Sequence, residues 1–204
     1  MRIFFASIFL ALCFLSCSPR AARQLTEVAP TEASYKNLYF SDLSKDYVYK
    51  AKIEVYGNSF GGIWVVKKLN QAHYRIVFTT EFGNKIFDFE LENADFKVNF
   101  ILPDLKKKLI INTLKKDFQI LLKEDNQVYR KYEAARQIVY QSKYNNRYNF
   151  HFTDADSQTL NKIVHRGKVK EKIVMHIEAT TPTKAKKISI QHQNIKLQID
   201  LKAF

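Results

Sequence analysis

The five histidines are the natural place to look for chemistry, and their spacing argues against it. His73, His151, His165, His176 and His192 are dispersed along the chain, and none has a second histidine at the separation by which two imidazoles share one zinc ion. Each reads as a strand or surface histidine. In Phe152-Thr153-Asp154-Ala155-Asp156-Ser157 two carboxylates lie close enough to hold a cation weakly, but a loop that begins with polar residues accounts for them better. No Gly-x-Ser-x-Gly elbow, glycine-rich phosphate loop or His-Glu-x-x-His pair occurs. The expectation is therefore no catalytic residue, no metal, no cofactor and no enzyme activity.

Cysteine is scarcer and more informative. Only Cys13 and Cys17 exist, and the chain opens Met1-Arg2 followed by an almost unbroken apolar run from Ile3 to Leu15. A membrane-spanning helix needs roughly 20 apolar residues, so this shorter run, closed by Ser16, Cys17, Ser18 and Pro19, has the build of a cleavable signal peptide. Phe14-Leu15-Ser16-Cys17 resembles a lipobox, where the peptidase cuts before a cysteine that carries diacylglycerol. That assigns 1–16 to a signal peptide and Cys17 to lipidation. Several acyl chains give the stable attachment that one does not. From Ser18 to about Tyr35 the chain is rich in Ala, Thr, Pro, Glu and Arg without apolar periodicity, so 17–35 reads as the lipidated cysteine with a flexible tether. The remainder, 36–204, is long enough for a single domain with its own core and no disulfide.

The charge balance invites acidic partners: 33 basic against 20 acidic residues give a formal net charge of +13. Nucleic acid is not expected, because zinc-finger spacing, an RNP-like aromatic motif and a basic helix are all missing. The lysines fall in short groups, Lys67-Lys68, Lys106 to Lys108, Lys115-Lys116, Lys168 to Lys172 and Lys184 to Lys187. Such groups describe a solvated face or, beside a bilayer, an attraction to anionic lipid head groups.

The elements that must position these groups are mostly strands. In Tyr47 to Val55 the odd positions are apolar or aromatic and most even ones are charged, as in a strand with one wet face. Similar stretches follow at Phe60 to Lys68, His73 to Thr80, Lys85 to Leu91 and Asp95 to Leu102, with turn signals between them at Gly57-Asn58, Asn70-Gln71, Gly83-Asn84 and Asn93-Ala94. Between Pro103 and Glu124 the leucines fall at helical spacing, which predicts a helix capped by Asp104 or, if shorter and preceded by a strand over Leu109 to Ile111, by Asn112. Strand patterns resume from Val128 and end in a hairpin of Lys186 to His192 with Asn194 to Leu201. The fold class is mainly β with one or more helices (α+β), a strongly curved antiparallel sheet or incomplete barrel, since a flat sheet that wide would curl. Inward positions would be Tyr74, Ile76, Phe78, Phe87, Phe89, Leu91, Phe96, Val98, Phe100, Ile195, Leu197 and Ile199. They could pack against the helix as a core or line a cavity for an apolar ligand.

Tyr74-Arg75-Ile76-Val77-Phe78-Thr79-Thr80-Glu81-Phe82-Gly83-Asn84, the alternation from Ile86 to Leu91, and the closing pair Lys187 to Ile190 with Ile195 to Asp200 together resemble the LolB family of outer-membrane lipoprotein receptors, within the LolA/LolB lipoprotein-carrier superfamily. The resemblance implies an incomplete barrel with a helical lid. It further implies a monomer, anchored to the outer membrane, that accepts the acyl chains of lipoproteins from a periplasmic LolA-like carrier and inserts the cargo into the bilayer. The inward residues above would then line the acyl-chain cavity, and Phe82 beside Gly83 would be the apolar tip of the membrane-insertion loop. The absence of an acidic run after Cys17 favours a periplasm-facing anchor. Two other readings keep the same fold: a non-enzymatic lipoprotein that binds a lipid or hydrophobic ligand, and a structural lipoprotein of the cell envelope.

Overall fold

A computed structural model describes residues 25–168 and 170–204. The expected signal peptide, Cys17 and the first part of the expected tether lie outside the described residues. The rest of that tether is not a free linker. Two short strands, β1 (Thr26–Val28) and β2 (Ser34–Lys36), pair antiparallel with one strand further along the chain, so folding begins about ten residues earlier than composition suggests. Three-residue strands carry too little periodicity to be read from sequence.

Two antiparallel meanders follow. The first comprises β3 (Asp46–Val55), β4 (Asn58–Asn70), β5 (His73–Thr79), β6 (Lys85–Glu92) and β7 (Asp95–Ile101). The second comprises β8 (Asp125–Ala134), β9 (Gln137–Tyr144), β10 (Arg147–Asp154), β11 (Leu160–Arg166), β12 (Glu171–Thr181), β13 (Lys184–His192) and β14 (Leu197–Ala203). Pairing of β14 with β3 joins them into one sheet of order β1-β8-β9-β10-β11-β12-β13-β14-β3-β4-β5-β6-β7, with β2 also on β8. The end strands β1 and β7 do not pair with each other, so the barrel stays open.

Between the meanders runs α1 (Lys108–Leu121), preceded by a 3-10 turn at Pro103–Leu105. Neither expected cap is used: Lys107 occupies the N-cap without a side-chain hydrogen bond, and Leu109 to Ile111 are helical rather than a strand. The helix survives a poor cap because tertiary burial, not capping, supplies most helical stability. Ile110, Leu114, Phe118 and Leu121 fall on one face and are buried against the sheet. At the other end Asn37 Nδ2 donates to the Leu121 carbonyl at 2.8 Å, satisfying one of the acceptors that a helix C-terminus leaves open.

Alternation then divides the sheet into an inner face, against α1, and an outer face. Trp64, Ile76, Phe78, Phe87, Phe89, Ile190 and Ile199 are buried on the inner side. A second apolar cluster of Tyr132, Val139, Phe150, Phe152, Val164 and Val174, with Leu25 packed against it, lies on the outer side of β8 to β12. Over β9 to β11 polar side chains share the inner side with apolar ones: Ser142, Asn149, His151, Thr153 and His165 are buried there beside Leu160 and Ile163.

Candidate functional site

Nine of the twelve inward residues gather on the concave face. Tyr74, Ile76, Phe78, Phe87, Phe89, Leu91, Ile195, Leu197 and Ile199 are buried in one cluster, and Phe96 packs against it partly buried. Val98 and Phe100 do not join them. They are 38% and 39% exposed: a bulge between Asp88 and Phe89 shifts the β6–β7 register and sets Phe100 opposite outward-facing Asp88, while Val98 stays opposite Phe89 but lies on the edge strand β7. Ile101 takes the inward place, paired with Phe87. Ile195 precedes β14 rather than belonging to it.

What the concave face holds is α1. The Phe118 ring lies 5.9 Å from Trp64, 6.0 Å from Phe87 and 6.4 Å from Phe89, centroid to centroid, and is wholly buried. Phe87 stacks on Phe89 at 4.5 Å, and Phe89 meets Phe96 at 4.9 Å. Such aromatic pairs add about 0.5–1.5 kcal/mol each beyond their burial. In this state the apolar half of the face is filled by the protein's own rings, and α1 must move for an acyl chain to lie there. Sequence reading missed Trp64 and Phe118; the helical spacing of Leu114, Phe118 and Leu121 is the signal that marks Phe118 as inward.

The second half of the concave face is polar. Ser142 Oγ lies 3.0 Å from His151 Nε2, His165 Nδ1 lies 2.8 Å from Asn149 Oδ1, and Tyr144 OH donates to Gln119 Oε1 of α1 at 2.5 Å. Tyr35 of β2 stacks on Tyr140 at 4.8 Å and meets His151 at 5.3 Å. Ser142 and His151 have the separation of a nucleophile and its base. Burial pushes the His151 imidazole down to about 3, with the charge of Lys123 acting the same way. The ring is therefore neutral and a weak base, and its Nδ1 has no hydrogen-bond partner among the described residues, so no third group orients it. These contacts fix the packing of α1 and β2.

At the rim, Tyr74 OH donates to Glu124 Oε1 at 2.6 Å and Lys68 pairs with the same carboxylate, tying β4 and β5 to the end of the helix. Asp154, the candidate cation ligand, is committed to its own turn: its Oδ1 accepts from the Ser157 backbone at 2.8 Å and from the Asp156 backbone at 3.1 Å.

Phe82 and Gly83 lie in a short connection. Between β5 and β6, Thr80 to Asn84 form a tight turn in which Gly83 N donates to Thr80 O at 3.0 Å and Thr80 N to Asn84 O at 2.8 Å. Gly83 has φ +86°, a conformation open to glycine at no steric cost. Phe82 is 94% exposed, the most exposed of the large apolar side chains described.

No protein-family model matches the chain, and no curated protein does. Among solved structures it is similar to a LolA superfamily protein from Nitrosomonas europaea, with TM-score 0.51 and 7% sequence identity, over 77% of this chain and 82% of that one. It is also similar to a DUF1329 family protein from Desulfovibrio piger, with TM-score 0.42 and 9% identity, over 79% and 85% of the two chains. The chain therefore has a LolA-like fold, a strongly curved antiparallel sheet left open as an incomplete barrel with a helix against its concave face.

Proposed function

We propose that the protein is a lipid-anchored receptor of the outer membrane, held by acyl chains on Cys17 and facing the periplasm, which accepts lipoproteins from a soluble LolA-like carrier and inserts them into the bilayer. The observation that carries this reading is Phe82. An aromatic ring 94% exposed at a glycine-supported hairpin tip costs free energy in water and gains it among lipid chains. The apolar concave face supports the acceptance step: acyl chains would replace Phe118 against Trp64, Phe87 and Phe89 as α1 swings away. The work is done by burial and release, and no residue is assigned a catalytic role.

The filling of that face by α1 favours a second reading, a structural lipoprotein of the envelope whose core is already complete. One experiment separates the two. The chain from residue 17 with Cys17→Ser is mixed with a carrier loaded with a lipidated substrate, and handover is followed together with delivery to vesicles. The receptor accepts cargo, and Phe82→Glu loses delivery but keeps acceptance; a chain that accepts nothing from any native carrier is the structural lipoprotein.

A further inference from the structure

On the outer face, three lysines stand side by side. Lys187 of β13 is the direct cross-strand neighbour of Lys202 of β14, and Lys202 of Lys50 in β3. Their chain neighbours Ile188, Leu201 and Ala51 are buried toward α1, so alternation turns all three lysines outward. Like charges directly opposed on a sheet are destabilising. The outer two are relieved by acids, Lys50 by Glu81 at 3.0 Å and Lys187 by Glu178 at 2.9 Å. Among the described residues no acid pairs with Lys202 in the middle.

This row borders a groove of about 680 Å³, into which Gly61 and Ser189 also face. Small residues there leave the backbone floor open, and its walls carry Lys50, Lys52, Lys187 and Lys202 together with Glu81, Glu178 and Asp200. Glu81 immediately precedes Phe82, so the groove begins where the exposed ring projects. Leu25, the first described residue, packs against the outer cluster on β8 to β12. At no more than about 3.6 Å per residue, the stretch from Cys17 to Leu25 reaches at most about 30 Å.

We propose that this outer face is a docking surface for an anionic bilayer, with the groove beside Phe82 receiving phosphate-bearing lipid head groups between Lys50, Lys202 and Lys187. The inference rests on the lipid-anchored receptor reading for its occasion, and it adds the lipid class to it. An acyl anchor at Cys17 and an apolar tip at Phe82 hold the domain within reach of head groups, and an anionic oxygen beside Lys202 supplies the partner that Glu81 and Glu178 give only to its two neighbours. Basic residues close to an anionic leaflet act over about a Debye length, which confines the effect to this face.

The test uses the chain from residue 17 with Cys17→Ser, which retains every described residue and has no acyl anchor. Its sedimentation with phosphatidylcholine vesicles is compared with and without phosphatidylglycerol. Binding requires phosphatidylglycerol and weakens with salt. Replacing Lys50, Lys187 and Lys202 together by Gln lowers it about a hundredfold, at about fivefold for each basic residue near the surface. Replacing Lys106, Lys107 and Lys108 by Gln, the same charge removed outside the groove, leaves it unchanged. Equal binding to both vesicle types, or an equal loss in the two triple variants, overturns the proposal. Carrier handover is scored separately: its absence with anionic binding intact removes the receptor reading alone, and the converse removes the docking face alone.

Discussion

His192 lies between two acceptors, with Nδ1 2.8 Å from the Leu197 carbonyl and Nε2 2.9 Å from Asp117 Oδ1. A carbonyl only accepts, so Nδ1 must carry a hydrogen, and the facing Nε2 and carboxylate then need one further proton between them. Asp117 is on α1 and His192 ends β13, and both side chains are essentially inaccessible. The proton they share therefore fastens the helix to the sheet. Burial raises Asp117 against the pull of His192. For His192, burial acts downward, but the hydrogen bond and charge of Asp117 with the Leu197 carbonyl outweigh it and leave the imidazole raised above 6.5.

The sign follows from linkage. A histidine raised in the folded state contributes stability below its unfolded value and loses it as pH climbs through the folded one. The expected outcome is a fall in the thermal midpoint as pH rises from about 6.5 into the alkaline range, absent in Asp117→Leu/His192→Leu. Asp117→Leu alone, which strands a buried imidazole, costs about 3–5 kcal/mol by denaturant titration. A wild-type midpoint flat across this range would mean that the shared proton is not there.

On the acid side the other two buried histidines act in the opposite direction. Burial holds His151 down at about 3 and His165 at about 4, aided by the charges of Lys116, Lys172 and Arg147. Both are neutral in the fold, and the unfolded chain takes up protons below 6.5, so stability drains away as pH falls from there toward 4. His151 alone accounts for a few kcal/mol at the acid end. Denaturation at stepped pH checks this, and His151→Phe, which keeps an aromatic ring beside Tyr35, should flatten the acid limb.

Gly62 and Gly61 form a matched pair for a steric prediction. A Cβ on Gly62 would lie 1.9 Å from the Thr79 carbonyl oxygen, whereas one on Gly61 meets nothing within 4 Å. Gly62→Ala must displace the end of β5 and with it the turn that carries Phe82. It is expected to cost about 1–3 kcal/mol and to speed tryptic cleavage at Lys85, while Gly61→Ala stays within about 0.5 kcal/mol of the parent. Equal behaviour of the two variants in denaturation would refute the contact.

The sequence carried the phase of the strands well and their sides less well. Alternation in Tyr47 to Val55 and in Tyr74 to Phe78 assigns the buried side correctly because one set is wholly apolar or aromatic, while the other, Val48 and Val77 apart, is charged. In β10 that logic points the wrong way: Phe150 and Phe152 face outward into a second cluster, and Asn149, His151 and Thr153 face α1. Period two states that two faces differ, while which face meets the helix depends on where Tyr144, Gln119 and Asp117 find polar partners. The β7 register was equally hidden, since Phe96, Val98 and Phe100 alternate without interruption and only the bulge opposite them turns Phe100 out. Phe82 was legible because a turn beside glycine leaves a ring nothing to pack on.

Phe118 decides what the concave face is for. Its ring fills the space above Trp64, Phe87 and Phe89, and truncating it to alanine removes those contacts and costs about 3–5 kcal/mol. A core that exists only for stability loses that energy and gains nothing. A face on which α1 lies as a displaceable plug should, once emptied, bind an acyl-chain probe that the parent protein takes up only when the helix moves. The expected outcome for Phe118→Ala is therefore a lowered midpoint together with tighter and faster uptake of a fluorescent fatty acid, measured by titration and stopped flow. Phe118→Leu, which keeps most of the volume, should restore stability and return uptake toward the parent. Destabilisation without any gain in uptake would identify the concave face as a finished core and favour the structural lipoprotein.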